Sequence, residues 1–130
     1  MHPAIVSTGG LVPALKSLAR RSPIPIALEV AVQRRFPEVV EVAAYYVVAE
    51  ALTNAAKYAQ ACELAVTADA DEEVLQLTVR DDGVGGATAG KGSGLIGLID
   101  RVEALGGQLV ISSPVGGGTS LRANLPLRHE

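Results

Sequence analysis

An α+β fold, in which one sheet carries helices on one face, is predicted by three observations on this 130-residue sequence. Five short segments alternate apolar and polar residues with the period of two that half-buried strands require. Two other segments repeat apolar residues at the spacing of a helix. The elements follow one another as strand, helix, two strands, helix, two strands, an order that is typical of α+β domains.

The composition indicates one globular domain from a reducing compartment. Apolar residues make up 48% and charged residues 19% of the chain, which is far from the composition of disordered proteins. The lone Cys62 cannot form an internal disulfide and is expected to be a small buried hydrophobe. No apolar run approaches the ~20 residues that span a bilayer, and no leader is recognisable, so we expect a cytoplasmic protein. The net charge of −3 argues against a nucleic-acid-binding surface.

The first strand and the first helix are each indicated by their own residues. In "IALEVAV", residues 26–32, every second position is Ile, Leu or Val, which predicts a half-buried strand. A helix is predicted over residues 37–59. Its first residue is Pro37, which the first turn of a helix tolerates, and the acids Glu38 and Glu41 suit the positive end of the helix dipole.

The second half of the chain predicts four strands and a helix. The segments "CELAVTAD" and "EVLQLTVRD" alternate on either side of an acidic turn at residues 69–73, and so predict an antiparallel hairpin. Apolar residues recur at helical spacing from Leu95 until Gly106 and Gly107 end the run. The segments "QLVISS" and "TSLRANLPL", joined by "PVGGG", predict the last two strands.

Residues 1–22 are expected to form an appendage to a domain that comprises residues 23–130. Their apolar residues Leu11, Leu15 and Leu18 predict one short amphipathic turn. Nothing else in this segment indicates a contribution to the core, so we treat it as a linker.

The first candidate site lies on the predicted long helix, in the segment "EALTNAAKYA". Glu50, Asn54 and Lys57 are spaced so that all three fall on one stripe of that helix. Carboxylate and amide oxygens are hard ligands that suit Mg²⁺, and a lysine ammonium suits phosphate oxygens. These three residues therefore favour a triphosphate bound together with a metal ion as the ligand. The alternative is an exposed polar cluster at the end of a helix, which would show the same spacing.

The second candidate site is "VRDDGVGG", at the end of a predicted strand. Gly83 and Gly85 let the chain turn tightly with its amides accessible, beside the carboxylate of Asp81. An acid in such a place can accept a hydrogen bond from an exocyclic amine, as on adenine. An ordinary Asp-Gly turn is the alternative.

The third candidate site is "GKGSGLIGL", residues 90–98, which overlaps a stretch, residues 81–97, that holds seven glycines. Glycines that lead directly into a helix place free backbone amides at the positive end of its dipole, where phosphate binds, and Lys91 lies nearby. A flexible connector is the alternative. A P-loop is disfavoured because Gly92 stands where a Ser or Thr must ligate Mg²⁺. A dinucleotide fingerprint is disfavoured because no predicted strand ends just before the glycines, and a protein-kinase glycine loop would need its own lysine strand and catalytic loop.

Taken together, "EALTNAAKYA", "DDGVGG", "GSGLIGLIDRVEALGG" and "GGGTSLRANLPL", in this order, resemble the catalytic ATP-binding domain of sensor histidine kinases. The resemblance covers about residues 26–127 and is greatest to the NarL/DesK-type subclass of the GHKL ATPase superfamily. It implies a two-layer α/β sandwich whose mixed, mainly antiparallel sheet carries helices on one face. Residues 1–22 resemble the exit from the dimerisation helices that bear the phosphoacceptor histidine.

The resemblance also implies roles for individual residues. Asn54 would ligate Mg²⁺, with Glu50 supporting the metal or its waters, and Asp81 would receive the adenine amino group. Residues 86–93 would form a mobile lid over the nucleotide. Glu50, Asn54 and Lys57 are thus the expected catalytic residues. The expected ATP-binding set is Asn54, Lys57, Tyr58, Asp81, Gly83, Gly85, Lys91, Gly92, Ser93, Gly94, Leu95 and Thr119.

Two departures from the family pattern matter. Tyr58 stands where the family usually has histidine, which leaves open one phosphate or lid contact. The acceptor histidine is absent, since His2 lies in the exit sequence and His129 in a tail, so we expect a fragment that binds ATP without phosphorylating itself.

The expected partners of the chain are ATP, the dimerisation domain of the same kinase and, indirectly, a response regulator. Neither nucleic acid nor direct membrane contact is expected. An anti-sigma-factor serine kinase and an inactive GHKL docking module are the alternatives.

Overall fold

The computed structural model describes residues 9–31, 34–56, 63–83 and 95–127, which form three helices and five strands. In chain order these are α1 (Leu11–Arg21), β1 (Ile26–Val30), α2 (Glu38–Asn54), β2 (Leu64–Ala70), β3 (Val74–Asp81), α3 (Leu95–Ala104), β4 (Gln108–Ser112) and β5 (Thr119–Pro126). The predicted order of strands and helices is confirmed, with α1 added before it. None of the described helices is both long and apolar enough to cross a membrane.

The five strands form one sheet in the order β1-β2-β3-β5-β4. β1 runs parallel to β2, and the other three pairings are antiparallel. A parallel pair needs a crossover connection, and α2 supplies it between β1 and β2. The expected mixed, mainly antiparallel sheet is therefore confirmed.

Only one face of the sheet is covered by the helices. Alternate residues of β2, β3 and β5 are buried, and the residues between them are mostly half-buried or exposed. The buried apolar residues of these three strands are Leu64, Val66, Ala68, Leu75, Leu77, Val79, Leu121, Ala123 and Leu125. The period of two in the sequence thus reports which side of each strand faces the helices.

The helix α2 lies at the centre of the helical layer, where it packs against α1, α3, β3 and β5. Ten of its seventeen residues are buried, so this helix is apolar around most of its circumference. It starts after Pro37, whose carbonyl accepts the amide of Glu41 at 3.1 Å, close to the predicted start. Its predicted end at residue 59 lies outside the described residues.

The N-terminal segment differs from the expected appendage. α1 is a helix of eleven residues rather than a single turn, and Leu11, Leu15 and Leu18 are buried in the same core as α2 and the sheet. The apolar stripe has a partner because α1 packs against both α2 and β1. The boundary between a linker and the domain at residue 22 stays a prediction, but the described part of this segment contributes to the core.

An ion pair between the exposed Arg35 and the buried Glu41 fixes the entry into α2. The carboxylate of Glu41 is fully buried and accepts two hydrogen bonds from the Arg35 guanidinium, each 3.1 Å long, and one from the amide of Phe36, also 3.1 Å. The hydrogen bond to Glu41 raises the pKa of Arg35. Because a buried carboxylate needs such partners, Glu41 ties the segment before α2 to the first turn of the helix.

We expect Arg35→Met to destabilise the domain, because it leaves the buried Glu41 carboxylate with one neutral donor. Arg34→Met is the matched control, since the Arg34 guanidinium donates to a backbone carbonyl, that of Asp71. Urea denaturation should show a clear fall in the midpoint for Arg35→Met and a smaller fall for Arg34→Met. Equal denaturation midpoints in the two variants would contradict a structural role for the ion pair of Arg35 and Glu41.

Candidate functional site

The candidate site lies at one end of the sheet, which we call the Asp81 end. The strand register places Ile26 beside Leu64, Leu64 beside Asp81 and Asp81 beside Thr119, so β1, β2 and β5 begin where β3 ends. α2 starts beyond the far end of β1 and leads toward the start of β2, so its C-terminal residue Asn54 is directed to the same end. The fold therefore brings the polar ends of three elements toward one place.

Asp81 is buried, with 7% of its surface exposed, and its side chain is held in one orientation. Its Oδ1 accepts the backbone amide of Gly83 at 2.8 Å and that of Thr119 at 3.1 Å. Both of these hydrogen bonds end on Oδ1, so Oδ2 is the atom that can accept a further donor from a ligand. A carboxylate fixed by two amides in this way is pre-organised as an acceptor.

The turn that precedes β5 presses directly on Asp81. Gly118 has a φ of +77°, and a Cβ on it would lie 2.3 Å from the carbonyl oxygen of Asp81. The neighbouring Gly117 donates its amide to the carbonyl of Pro114 at 2.9 Å, which closes the turn. Only glycine fits at position 118, for its conformation and for the close approach of the two backbones.

Thr119 lies next to Asp81 on β5 and is also buried. Its hydroxyl is 2.6 Å from that of Ser113, and either oxygen can be the donor. The structure therefore brings together Asp81, Gly83 and Thr119 from the predicted set, and it adds Ser113 and Gly118, which sequence reasoning did not single out. The signal for Gly118 was present in the three consecutive glycines before Thr119.

Asn54 is the third buried polar residue of the site, with 6% of its surface exposed. Neither its Oδ1 nor its Nδ2 has a hydrogen-bond partner among the residues that the structure describes. An unsatisfied buried polar group costs about 1–3 kcal/mol, so this amide points to a ligand or an ordered water as its partner. An amide oxygen is a suitable ligand for Mg²⁺.

Glu50 lies one turn before Asn54 on α2 and is half-buried, with an interaction partner of its own. No group of three or more His, Cys, Asp or Glu side chains in the described ranges is placed to hold a metal ion.

Leu95 opens α3 and is fully buried, which anchors the first turn of a helix that packs against α2 and β4. The first amides of a helix have no partners within it, so this turn can bind an anion. The remaining predicted residues of the site, and residues 86–93 of the expected lid, lie outside the described residues. These are Lys57, Tyr58, Gly85, Lys91, Gly92, Ser93 and Gly94.

Comparison with known proteins identifies the family. The family described as histidine kinase-, DNA gyrase B- and HSP90-like ATPase matches residues 39–129. The signal transduction histidine-protein kinase/phosphatase DegS of Brevibacillus brevis is 37% identical over 99 residues, which are 74% of this chain and 26% of DegS. The sensor histidine kinase NarS of Mycobacterium tuberculosis is 36% identical over 141 residues, which cover 99% of this chain and 32% of NarS.

The fold is also found in a solved structure. The blue-light activated histidine kinase EL346 of Erythrobacter litoralis superposes with a TM-score of 0.69 at 23% identity, over 92% of this chain and 40% of that one. The chain thus spans about a quarter to a third of the two curated relatives. It belongs to the family of histidine kinase-, DNA gyrase B- and HSP90-like ATPases, and the resemblance of its motifs to the ATP-binding domain of sensor histidine kinases is confirmed.

Proposed function

We propose that this chain binds Mg²⁺–ATP at the Asp81 end of the sheet and presents the γ-phosphate to a histidine on a separate dimerisation domain. The observation that carries the proposal is a pair of buried polar side chains at one end of the fold. One is the Asp81 carboxylate, fixed by two amides, and the other is the Asn54 amide, which has no partner among the described residues. Such groups are stabilised by a polar ligand between them.

Asp81 would recognise adenine. Its Oδ2 would accept a hydrogen bond from the exocyclic amine, while Oδ1 stays bound to the amides of Gly83 and Thr119. The Thr119 hydroxyl, held by Ser113, would position a water between protein and base. The buried carboxylate would thus select a base that carries a donor at this position.

Asn54 and Glu50 would hold the metal ion. The unsatisfied side-chain oxygen of Asn54 would ligate the ion, and Glu50, one turn earlier, would orient the metal-bound waters. Bound Mg²⁺ would neutralise charge on the phosphates and fix their geometry. The unsatisfied amide of this chain therefore fits the ion that the family implies.

The phosphates would extend toward the first turn of α3, where backbone amides without partners in the helix can bind an anion. Lys57 and Lys91 are the proposed cationic contacts. In the transfer step, an imidazole nitrogen forms a bond to the γ-phosphorus as the bond from that phosphorus to the bridging oxygen breaks, and ADP leaves. The domain contributes by positioning these atoms and stabilising charge, which is what phosphoryl transfer requires. Because ATP is a cytoplasmic substrate, the domain would act in the cytoplasm.

Calorimetric titration with ATP, with and without Mg²⁺, tests the proposal. Wild-type protein should bind ATP with an affinity that rises in the presence of Mg²⁺. If the domain binds no ATP in either condition, it is instead a docking module that does not bind nucleotide.

Asn54→Leu is expected to leave the domain without nucleotide at least as stable as wild type, because the buried amide that it removes has no partner among the described residues. The same change should abolish the effect of Mg²⁺ on ATP affinity. Asn124→Leu is the matched control, since Oδ1 of Asn124 also has no partner in the described part of the chain, although this residue lies on β5 away from the Asp81 end. Thermal unfolding measures the first effect and calorimetry the second. If the affinity of Asn54→Leu for ATP still rises with Mg²⁺, Asn54 is not a ligand of the metal.

A further inference from the structure

The outer edge of β1 has no strand beside it in the described part of the chain, because β1 is the first strand of the sheet and has a neighbour only on its β2 side. Its inner side is bonded to β2, for example from the amide of Ala31 to the carbonyl of Ala68 at 3.0 Å. Backbone groups alternate in direction along a strand, so the amides and carbonyls of Ile26, Leu28 and Val30 point to the outer edge. No described strand pairs with that edge, which makes it a template for another strand.

A groove of about 560 Å³ lies beside this edge, between β1 and α1. Its apolar surface includes Val12 of α1 and Leu28 and Val30 of β1. The last two point toward the helical layer and are only half-buried. A strand added to β1 would direct every second side chain into this groove, so the groove can accommodate small apolar side chains.

Among the described residues, the groove is lined by cations and by no acid. Lys16, Arg34 and Arg35 contribute to its lining. Arg35 is neutralised by the buried Glu41, and Arg34 donates to the carbonyl of Asp71, whose carboxylate it also influences. Lys16 is exposed and forms no ion pair with any described residue, so the rim keeps a positive charge within a chain of net charge −3. This charge favours an acidic occupant.

We propose that the outer edge of β1 binds an extended acidic segment of a partner protein, which adds to the sheet as a sixth strand. Backbone hydrogen bonds to β1 give the affinity, apolar side chains fill the groove, and acidic side chains meet Lys16 and Arg34. The groove lies toward the Val30 end of β1, opposite the Asp81 end, and α1 and β1 precede the family match at residues 39–129. Docking here leaves the nucleotide site open.

The other edge strand, β4, has different surroundings. Val110 is exposed on β4, with 46% of its surface accessible, and its cross-strand neighbour is Arg122 rather than one of the groove-lining cations. Binding at the two edges is therefore distinguished by which amides respond, those of β1 or those of β4.

The probe for the test is a capped heptapeptide that carries valine and glutamate at the alternate positions that would face the groove, with threonine between them. It is titrated into the chain and followed by amide NMR. We expect shifts and slowed hydrogen exchange at Ile26, Leu28 and Val30. Two matched peptides are controls, one with lysine in place of glutamate and one N-methylated on the amides that would face β1. Neither should bind measurably, because the first reverses the charge and the second cannot pair with the strand.

Lys16→Glu should weaken the acidic peptide about three- to tenfold, as expected for reversal of a partly screened charge. Arg122→Glu, an exposed change on the open face of β5, should leave peptide binding unchanged. Both variants should bind ATP like wild type. The proposal would be overturned if the acidic peptide did not bind, or if either control peptide bound equally well. It would also be overturned if the shifts appeared at β4 or at the Asp81 end in place of β1.

Discussion

Asp81→Asn is expected to lower the affinity for ATP at least about 100-fold while the domain stays folded. The asparagine Oδ1 can still accept the amides of Gly83 and Thr119, so the local backbone keeps its hydrogen bonds. The other oxygen becomes an NH₂ group, which would face the adenine amine donor to donor in a buried site. Calorimetric titration of wild type and variant with ATP measures the loss.

A swap of base provides the control for this variant. Inosine triphosphate carries a carbonyl where ATP carries the amine, and the NH₂ group that the substitution introduces can donate to that carbonyl. Asp81→Asn should therefore bind inosine triphosphate better than ATP, whereas wild type should prefer ATP. The unfolding midpoint of the variant should fall by no more than about 5 °C. An unchanged preference for ATP would show that Asp81 does not contact the base.

Gly118→Ala is expected to destabilise the domain by more than about 3 kcal/mol. An added Cβ would lie 2.3 Å from the carbonyl oxygen of Asp81, and the φ of +77° is itself unfavourable for alanine. Both atoms in this contact belong to backbone or are fixed to it, so neither can move without displacing a strand end. Urea denaturation gives the change in the free energy of unfolding.

Gly116→Ala isolates the conformational part of that effect, so the difference between the two variants gives the steric part. Gly116 has a similar φ of +82°, but a Cβ on it would meet nothing within 4 Å. Its substitution should cost only the conformational strain, about 1 kcal/mol. Similar losses for the two variants would contradict the close approach of the turn to Asp81.

The sequence was sufficient to predict the elements whose signal is local. Alternation in "EVLQLTVRD" marks the buried side of β3, and Pro37 marks the start of α2 because a helix tolerates proline only in its first turn. The spacing of Asn54 and the position of Asp81 at a strand end identified two residues that the structure buries. These features depend on a few neighbouring residues, so a pattern can reveal them.

Features that depend on distant contacts could not be predicted in this way. α1 has the apolar spacing of a longer helix, but only packing against α2 and β1 decides whether so short a segment joins the core. Glu41 was interpreted as an acid that suits the helix dipole, whereas the structure buries it against Arg35. The contact between Gly118 and Asp81 arises from pairing of β3 with β5, which no local pattern contains.

The central claim is that Asn54, Asp81 and the first turn of α3 surround one nucleotide. Amide NMR of the chain with ATP and Mn²⁺ in place of Mg²⁺ tests it most directly, because Mn²⁺ broadens resonances close to the metal. We predict strong broadening at Asn54 and Leu95, nucleotide-induced shifts at Asp81 and Thr119, and no effect at Val30. Broadening that spares Asn54 and Leu95, or ATP shifts that leave Asp81 unmoved, would contradict a shared site.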